Sequence, residues 1–300
     1  MNLAELEAAQ AANVAPVIRS VTTTFAGYAS RQVTLPIWRL LLQTIFPQVA
    51  SRYTYGANLA RRLYEKERAK VTDAPMPNRP LPRLSFERFV KDMEEVRPLM
   101  MKPNTTANEV ARAALRVART VENGGRREIL RAVSDVDEAL DDQIIWEEDD
   151  ELTSSEISLD DLHDEVNDKR EAKGKSRLVR GWARVPTGAE TCGWCWMLAS
   201  RGPVYKTAKT AGARFEFDAG GGELVGEQMN AWHDGCDCKI VPVFTTRSWE
   251  GRERWQAAEA LWNDVTRRQG YRGHEARKAF RREVEAGRIQ ELLQDAQVAA

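Results

Sequence analysis

The four cysteines of this 300-residue chain all fall between Cys192 and Cys238, in two tight groups. The first is Cys192-Gly193-Trp194-Cys195, and the second is His233-Asp234-Gly235-Cys236-Asp237-Cys238. Zinc takes four soft or borderline donors in a tetrahedron, and a C-x2-C turn offers two thiolates to one ion. Gly193 and Gly235 suit the tight turns that such knuckles need. Cys192, Cys195, His233, Cys236 and Cys238 are therefore the candidate metal ligands. The second group offers three donors for two places, so one is spare. The spacing accepts His233 with either cysteine, or the two cysteines together. A disulfide framework more often spreads its cysteines along a secreted chain. Packed thiols or a labile disulfide are the competing reading. Five candidate donors leave no evident open position, which favours a closed structural site over a catalytic one.

Catalytic patterns fail on their details. Zinc deaminases pair H-x-E with P-C-x-x-C, whereas Thr191 precedes Cys192 and no H-x-E occurs. His274-Glu275 begins an H-E-x-x-H pattern, but Lys278 stands where the second histidine would be. There is no G-x-S-x-G, phosphate-binding loop or dinucleotide fingerprint. No catalytic residues are assigned, and the chain reads as a non-enzyme. Two alternatives stay open: a zinc-dependent nuclease or hydrolase using His233 and Asp234, and a DNA-binding module.

Charge divides the chain. The formal net charge is −1, but residues 141–171 carry 14 acidic and 2 basic side chains between two mildly basic flanks. That stretch reads as a solvated linker or insertion, with docking to a basic partner as the sharper alternative. The flanks lack the dense basic patch of a specific nucleic-acid reader. No apolar run approaches the ~20 residues of a membrane helix. The N-terminus lacks the basic, then apolar, pattern of a signal peptide. The expectation is a cytosolic protein without a membrane partner.

The fold class expected is α+β, mainly α, in three parts: helical 1–140, acidic 141–177, and a small α+β domain over 178–300 with a helical tail. In the first part, helices are expected from Ala4 to about Ser30 with an interruption at Pro16, over Ile37–Phe46 closed by Pro47, and over Gln48–Lys70. A proline-rich crossing follows. Ser85 is placed as the N-cap of a helix through Phe89, Met93 and Val96. A helix from about Thr105 or Thr106 should stop at Asn123-Gly124-Gly125, with another over Arg126–Leu140. In the last part, short strands are expected at 202–205, 214–217 and 239–244, with a flexible loop at Gly220–Gly222. Ser248 is placed as the cap of a helix through Trp255, Ala258, Leu261, Trp262 and Val265, followed by a last helix over about 275–293. Trp182, Trp194, Trp196, Trp232, Trp249, Trp255 and Trp262 are expected to pack the core of this part.

The stretch GWARVPTGAETCGWCWMLASRGPVY, followed by WHDGCDCKIVPVF, closely resembles the C-terminal module of Mu F-like (MuF) minor capsid proteins, particularly those of phages of actinobacteria. RYTYGANLARRLYEKERAK resembles the N-terminal part of that family, so the likeness covers most of residues 45–300. The resemblance implies a head-morphogenesis protein present in few copies in the virion, lying in the phage head interior after assembly in the host cytoplasm. It implies the portal protein and major capsid or scaffolding proteins as partners, with access to packaged double-stranded DNA and ejection of the protein with it. The five cysteine and histidine positions carry the motif over.

Overall fold

The computed structural model describes residues 3–29, 31, 33–134, 137–141, 179–187, 191–205, 214–217, 224–228 and 238–299. It is mainly helical, as the sequence predicts. The described residues divide into two compact units: 3–63 with Arg79–Ile129, and Tyr64–Asn78 with those lying in 130–228 and 238–299.

The first unit is built on long amphipathic helices. Helix α1 (Leu3–Ala26) buries Leu6, Gln10, Asn13, Val17, Val21 and Phe25, a ridge with steps of three and four residues. Helix α2 (Leu35–Arg68) buries Trp38, Leu42, Ile45, Val49, Tyr53 and Ala57 in the same way. Two expected interruptions are absent, because Pro16 lies inside α1 and Pro47 inside α2. A proline within a helix costs about 3 kcal/mol and one hydrogen bond. Each large side chain on the buried stripe is worth about 1.5–3 kcal/mol, and the stripe of α2 runs unbroken past Pro47. The packing outweighs the proline.

Ser85 caps α3 (Phe86–Met93) as expected, its Oγ accepting from the Arg88 N–H at 3.2 Å. This helix ends at Met93, and a single turn, α4 (Arg97–Met100), follows. Helix α5 (Ala107–Ser134) begins with a reciprocal cap. Glu109 Oε2 accepts the Thr106 N–H at 2.9 Å, and Thr106 Oγ1 accepts the Glu109 N–H at 3.3 Å. The expected stop at Asn123-Gly124-Gly125 is overturned, since α5 runs straight through it. Those glycines serve close packing. A Cβ on Gly124 would stand 2.3 Å from the Tyr53 carbonyl oxygen, and one on Gly125 3.1 Å from that of Gly56.

In the second unit, α6 (Glu138–Asp141) precedes the acidic stretch, most of which lies outside the described residues. Strands β1 (Gly181–Val185) and β4 (Lys239–Val243) pair antiparallel, Val185 opposite Lys239 and Gly181 opposite Val243. Strands β2 (Arg214–Phe217) and β3 (Leu224–Gln228) form a second antiparallel pair. The 214–217 and 239–244 expectations match β2 and β4. The 202–205 run contributes only a single bridge, Tyr205 to Trp182. Between β1 and β2 lies α7 (Gly193–Ala199). Gly220–Gly222 lie outside the described residues.

The tail is α8 (Arg252–Asn263), a π-helical turn over Asp264–Arg268, α9 (Gly273–Glu285) and α10 (Arg288–Ala299). Ser248 does not cap α8. Gly251 does, at φ 102°, a conformation other residues resist, with the Val185 side chain pressed where a Cβ would go. The single last helix expected is two helices, because Gly287 turns the chain at φ 88°. Trp196, Ala258, Leu261, Val265, Ala279 and Phe280 join α7 to the tail in one apolar cluster.

The end of α2 belongs to this unit as well. Arg68 donates to both carboxylate oxygens of Asp137, at 2.7 and 2.9 Å, with both side chains buried. Buried Glu67 accepts from Lys70 Nζ at 2.8 Å and from the Glu250 N–H at 2.9 Å. The Tyr64 ring meets Phe244 edge-on at 6.0 Å.

Candidate functional site

The first cysteine group folds as the start of a helix and not as a free tight turn. Cys192 is the N-cap of α7, with extended backbone, and its carbonyl accepts the Trp196 N–H at 3.1 Å. Cys192 is exposed and Cys195, within the first turn, is buried. Gly193 is needed here for space. A Cβ on it would come within 2.8 Å of Arg281 Cγ on α9. Trp194 points outward and is half exposed, against expectation, whereas Trp182, Trp196 and Trp249 are buried as expected. Trp255 and Trp262 are partly buried, and Trp232 lies outside the described residues.

Cys238 is fully buried and immediately precedes β4. Tyr205 connects its surroundings with α7 and β1. The phenol donates to the Leu198 carbonyl of α7 at 3.2 Å, and the Tyr205 carbonyl accepts the Trp182 N–H at 2.7 Å. Burial pushes the phenol above its usual range, while the Arg201 and Arg184 guanidiniums pull it down and Cys238 adds a smaller upward push. Helix α7 also packs directly on β1. The second unit thus holds the C-x2-C helix and Cys238 on elements in mutual contact.

Among the described residues, no three His, Cys, Asp or Glu side chains gather closely enough to hold a metal ion. Cys192, Cys195 and Cys238 are thus not a closed set by themselves. The remaining candidates, His233 and Cys236, lie outside the described residues, as does Asp234 of the hydrolase alternative. The described donors suit zinc in kind: three sulfurs, two of them shielded from water. Two pairs of short strands make a thin scaffold, and two-stranded sheets are marginal on their own. A cross-link through metal would answer that weakness.

One group next to this region is not visible from sequence spacing. Lys239, the first residue of β4, is buried, and desolvation pulls its ammonium down to about 7. An ordinary KIVPVF strand signals only that alternate residues turn inward. Burial of both faces follows from what packs on the sheet, so no sequence signal marks this lysine.

Comparison with known proteins gives the chain its relatives. The VG15 protein family matches residues 167–265, which include both cysteine groups. The Gene 15 protein of Mycobacterium phage D29 is 31% identical over 267 residues, covering 82% of this chain and 84% of that protein. The Gene 15 protein of Mycobacterium phage L5 is 30% identical over 288 residues, covering 89% and 85%. No solved structure matches. Among the described residues, no helix is long and apolar enough to cross a membrane. With identity of this level over more than four-fifths of each sequence, the chain belongs to the phage gene 15 (VG15) protein family.

Proposed function

We propose that this chain is a MuF-type minor capsid protein, a non-enzymatic component of the phage head that associates with the portal, acts in head assembly and leaves with the genome. The observation that carries the reading is the ordered signature from Gly181 to Phe244. Its first part forms β1, the C-x2-C helix α7 and the Tyr205 bridge, and its last part forms β4 against β1. Membership of a phage family supports it further. The function is assembly, so it resides in surfaces and stability and not in a reacting centre.

The same reading assigns Cys192, Cys195, His233, Cys236 and Cys238 as the donor set for one structural zinc, with one residue of the second group spare. Bound there, the ion would supply folding free energy to the second unit; α7 and the start of β4 would present its sulfur ligands. The portal protein and the major capsid or scaffolding proteins are the partners proposed, with the head interior as the location.

Quantitative mass spectrometry of purified virions tests the assignment. The expected result is a few copies of this chain per particle, retained in heads and reduced in ghosts that have ejected their DNA. Virions of normal yield and infectivity that contain none of it would overturn the reading.

A further inference from the structure

Helix α2 carries an outer face without charge. On the side away from the buried Trp38, Leu42, Ile45 and Val49, the exposed positions run Pro36, Leu40, Thr44, Pro47, Ser51 and Tyr55. Their steps of three and four residues keep them on one side of the helix for about 29 Å. Gln43, also exposed on that side, is uncharged as well. Leu40 is 56% exposed and Tyr55 47%. Between Pro36 and Tyr55 only Arg39 and Arg52 are charged. At about 100° per residue they stand on opposite flanks, roughly 100° and 120° from Leu40. In a chain of which 30% is charged, the outward side of a helix is where that charge normally goes, and exposed Arg62 restores it beyond Tyr55.

The face also loses little when taken out of water. Thr44 Oγ1 donates to the Leu40 carbonyl at 2.9 Å, and Thr54 Oγ1 to that of Ala50 at 3.2 Å. These hydroxyl hydrogens are satisfied within the helix and need no solvent.

The order of the residues points to the occupant. Leu40 and Tyr55 lie equally far from the point between Pro47 and Gln48, and so do Thr44 and Ser51. A half-turn about that point sets large apolar side chain on large apolar side chain and small hydroxyl on small hydroxyl. That is the condition for an isologous contact. Arg39 and Arg52, on opposite flanks, do not meet across it. A partner with a charged surface would find no counter-charge here.

We propose that two copies of this chain pair through this face, α2 antiparallel to α2, with Leu40 of each copy against the partner's Tyr55. A contact of about 29 Å by 10 Å is smaller than the ~800 Å² per partner of a stable complex, so the pairing is weak and concentration-dependent. The inference goes beyond the virion reading and is independent of the zinc assignment.

Sedimentation equilibrium of the purified full chain, from about 1 to 200 µM, tests it. The expected result is a monomer–dimer equilibrium whose Kd is indifferent to salt between about 50 and 200 mM, because no charge lies in the contact. Leu40→Lys and Tyr55→Glu should each weaken the dimer by about tenfold or more, with an unchanged circular dichroism spectrum since both positions are exposed. Both changes in one chain should recover the dimer and make it salt-sensitive, because antiparallel pairing sets each new ammonium beside a new carboxylate. A chain that stays monomeric throughout would overturn the proposal and leave the face to a different protein. A dimer that neither single change weakens would place the contact elsewhere and overturn it too. A double variant that pairs no better than the single ones would overturn the antiparallel register.

Discussion

Gly124 of α5 lies directly on the backbone of Tyr53 in α2, so close that a Cβ would stand 2.3 Å from the Tyr53 carbonyl oxygen. The contact is with backbone, which cannot rotate away as the end of a side chain can. Gly124→Ala thus sets two effects against each other. Alanine favours an exposed helix by about 1 kcal/mol over glycine. Overpacking a core contact costs about 1–3 kcal/mol, and a backbone clash lies at the upper end. Urea unfolding should show the variant destabilised by about 2 kcal/mol or more. A stabilised variant would mean that the two helices are not in close contact at this point.

Arg68 and Asp137 form a bidentate, buried ion pair, so the two partners should be worth little as a pair and much individually. Asp137→Ala leaves a buried guanidinium and is expected to cost about 3–5 kcal/mol. Arg68→Met with Asp137→Leu should recover most of that loss. A double-mutant cycle by chemical denaturation measures it, and simple additivity of the two single changes would contradict the buried pairing.

Glu67 gives the second unit a pH dependence of definite sign. Burial raises its pKa above the ordinary glutamate range, more than Lys70 and the Glu250 N–H lower it. The native state therefore binds this proton more tightly than the unfolded chain. The resulting stability is complete below about pH 4.5 and is lost as pH rises through the raised native value. Glu67→Gln removes the titration while keeping an acceptor for the Glu250 N–H. Between pH 4.5 and 7, the parent should lose stability relative to this variant. Parallel stability curves would show that Glu67 is not desolvated.

Elemental analysis of the purified chain tests the metal assignment. The expectation is about one zinc per chain, absent from Cys195→Ser and Cys238→Ser, with the mutants losing near-UV circular dichroism of the tryptophan-rich second unit. Zinc lost while the fold persists would favour the hydrolase alternative, for which His233→Ala would abolish a metal-dependent turnover. No metal in the parent would reject the structural zinc.

What the sequence determined by itself was local and periodic. The helical character of the first unit, the Ser85 cap, strands at 214–217 and 239–244, and the apolar stripe from Trp255 to Val265 are each written in adjacent residues. The two cysteine groups were legible for the same reason, and with them the resemblance on which the functional proposal rests. Tertiary structure decided where local signals are overruled. Pro16 and Pro47 lie inside helices because continuous buried stripes outweigh one lost hydrogen bond. Gly124 and Gly125 continue a helix because a neighbouring backbone needs their missing side chains. Gly251 displaces Ser248 as a cap because Val185 occupies the space above it. The outward turn of Trp194 and the burial of Lys239 belong here too, since burial is set by which elements pack on a residue, and no window along the chain contains that information.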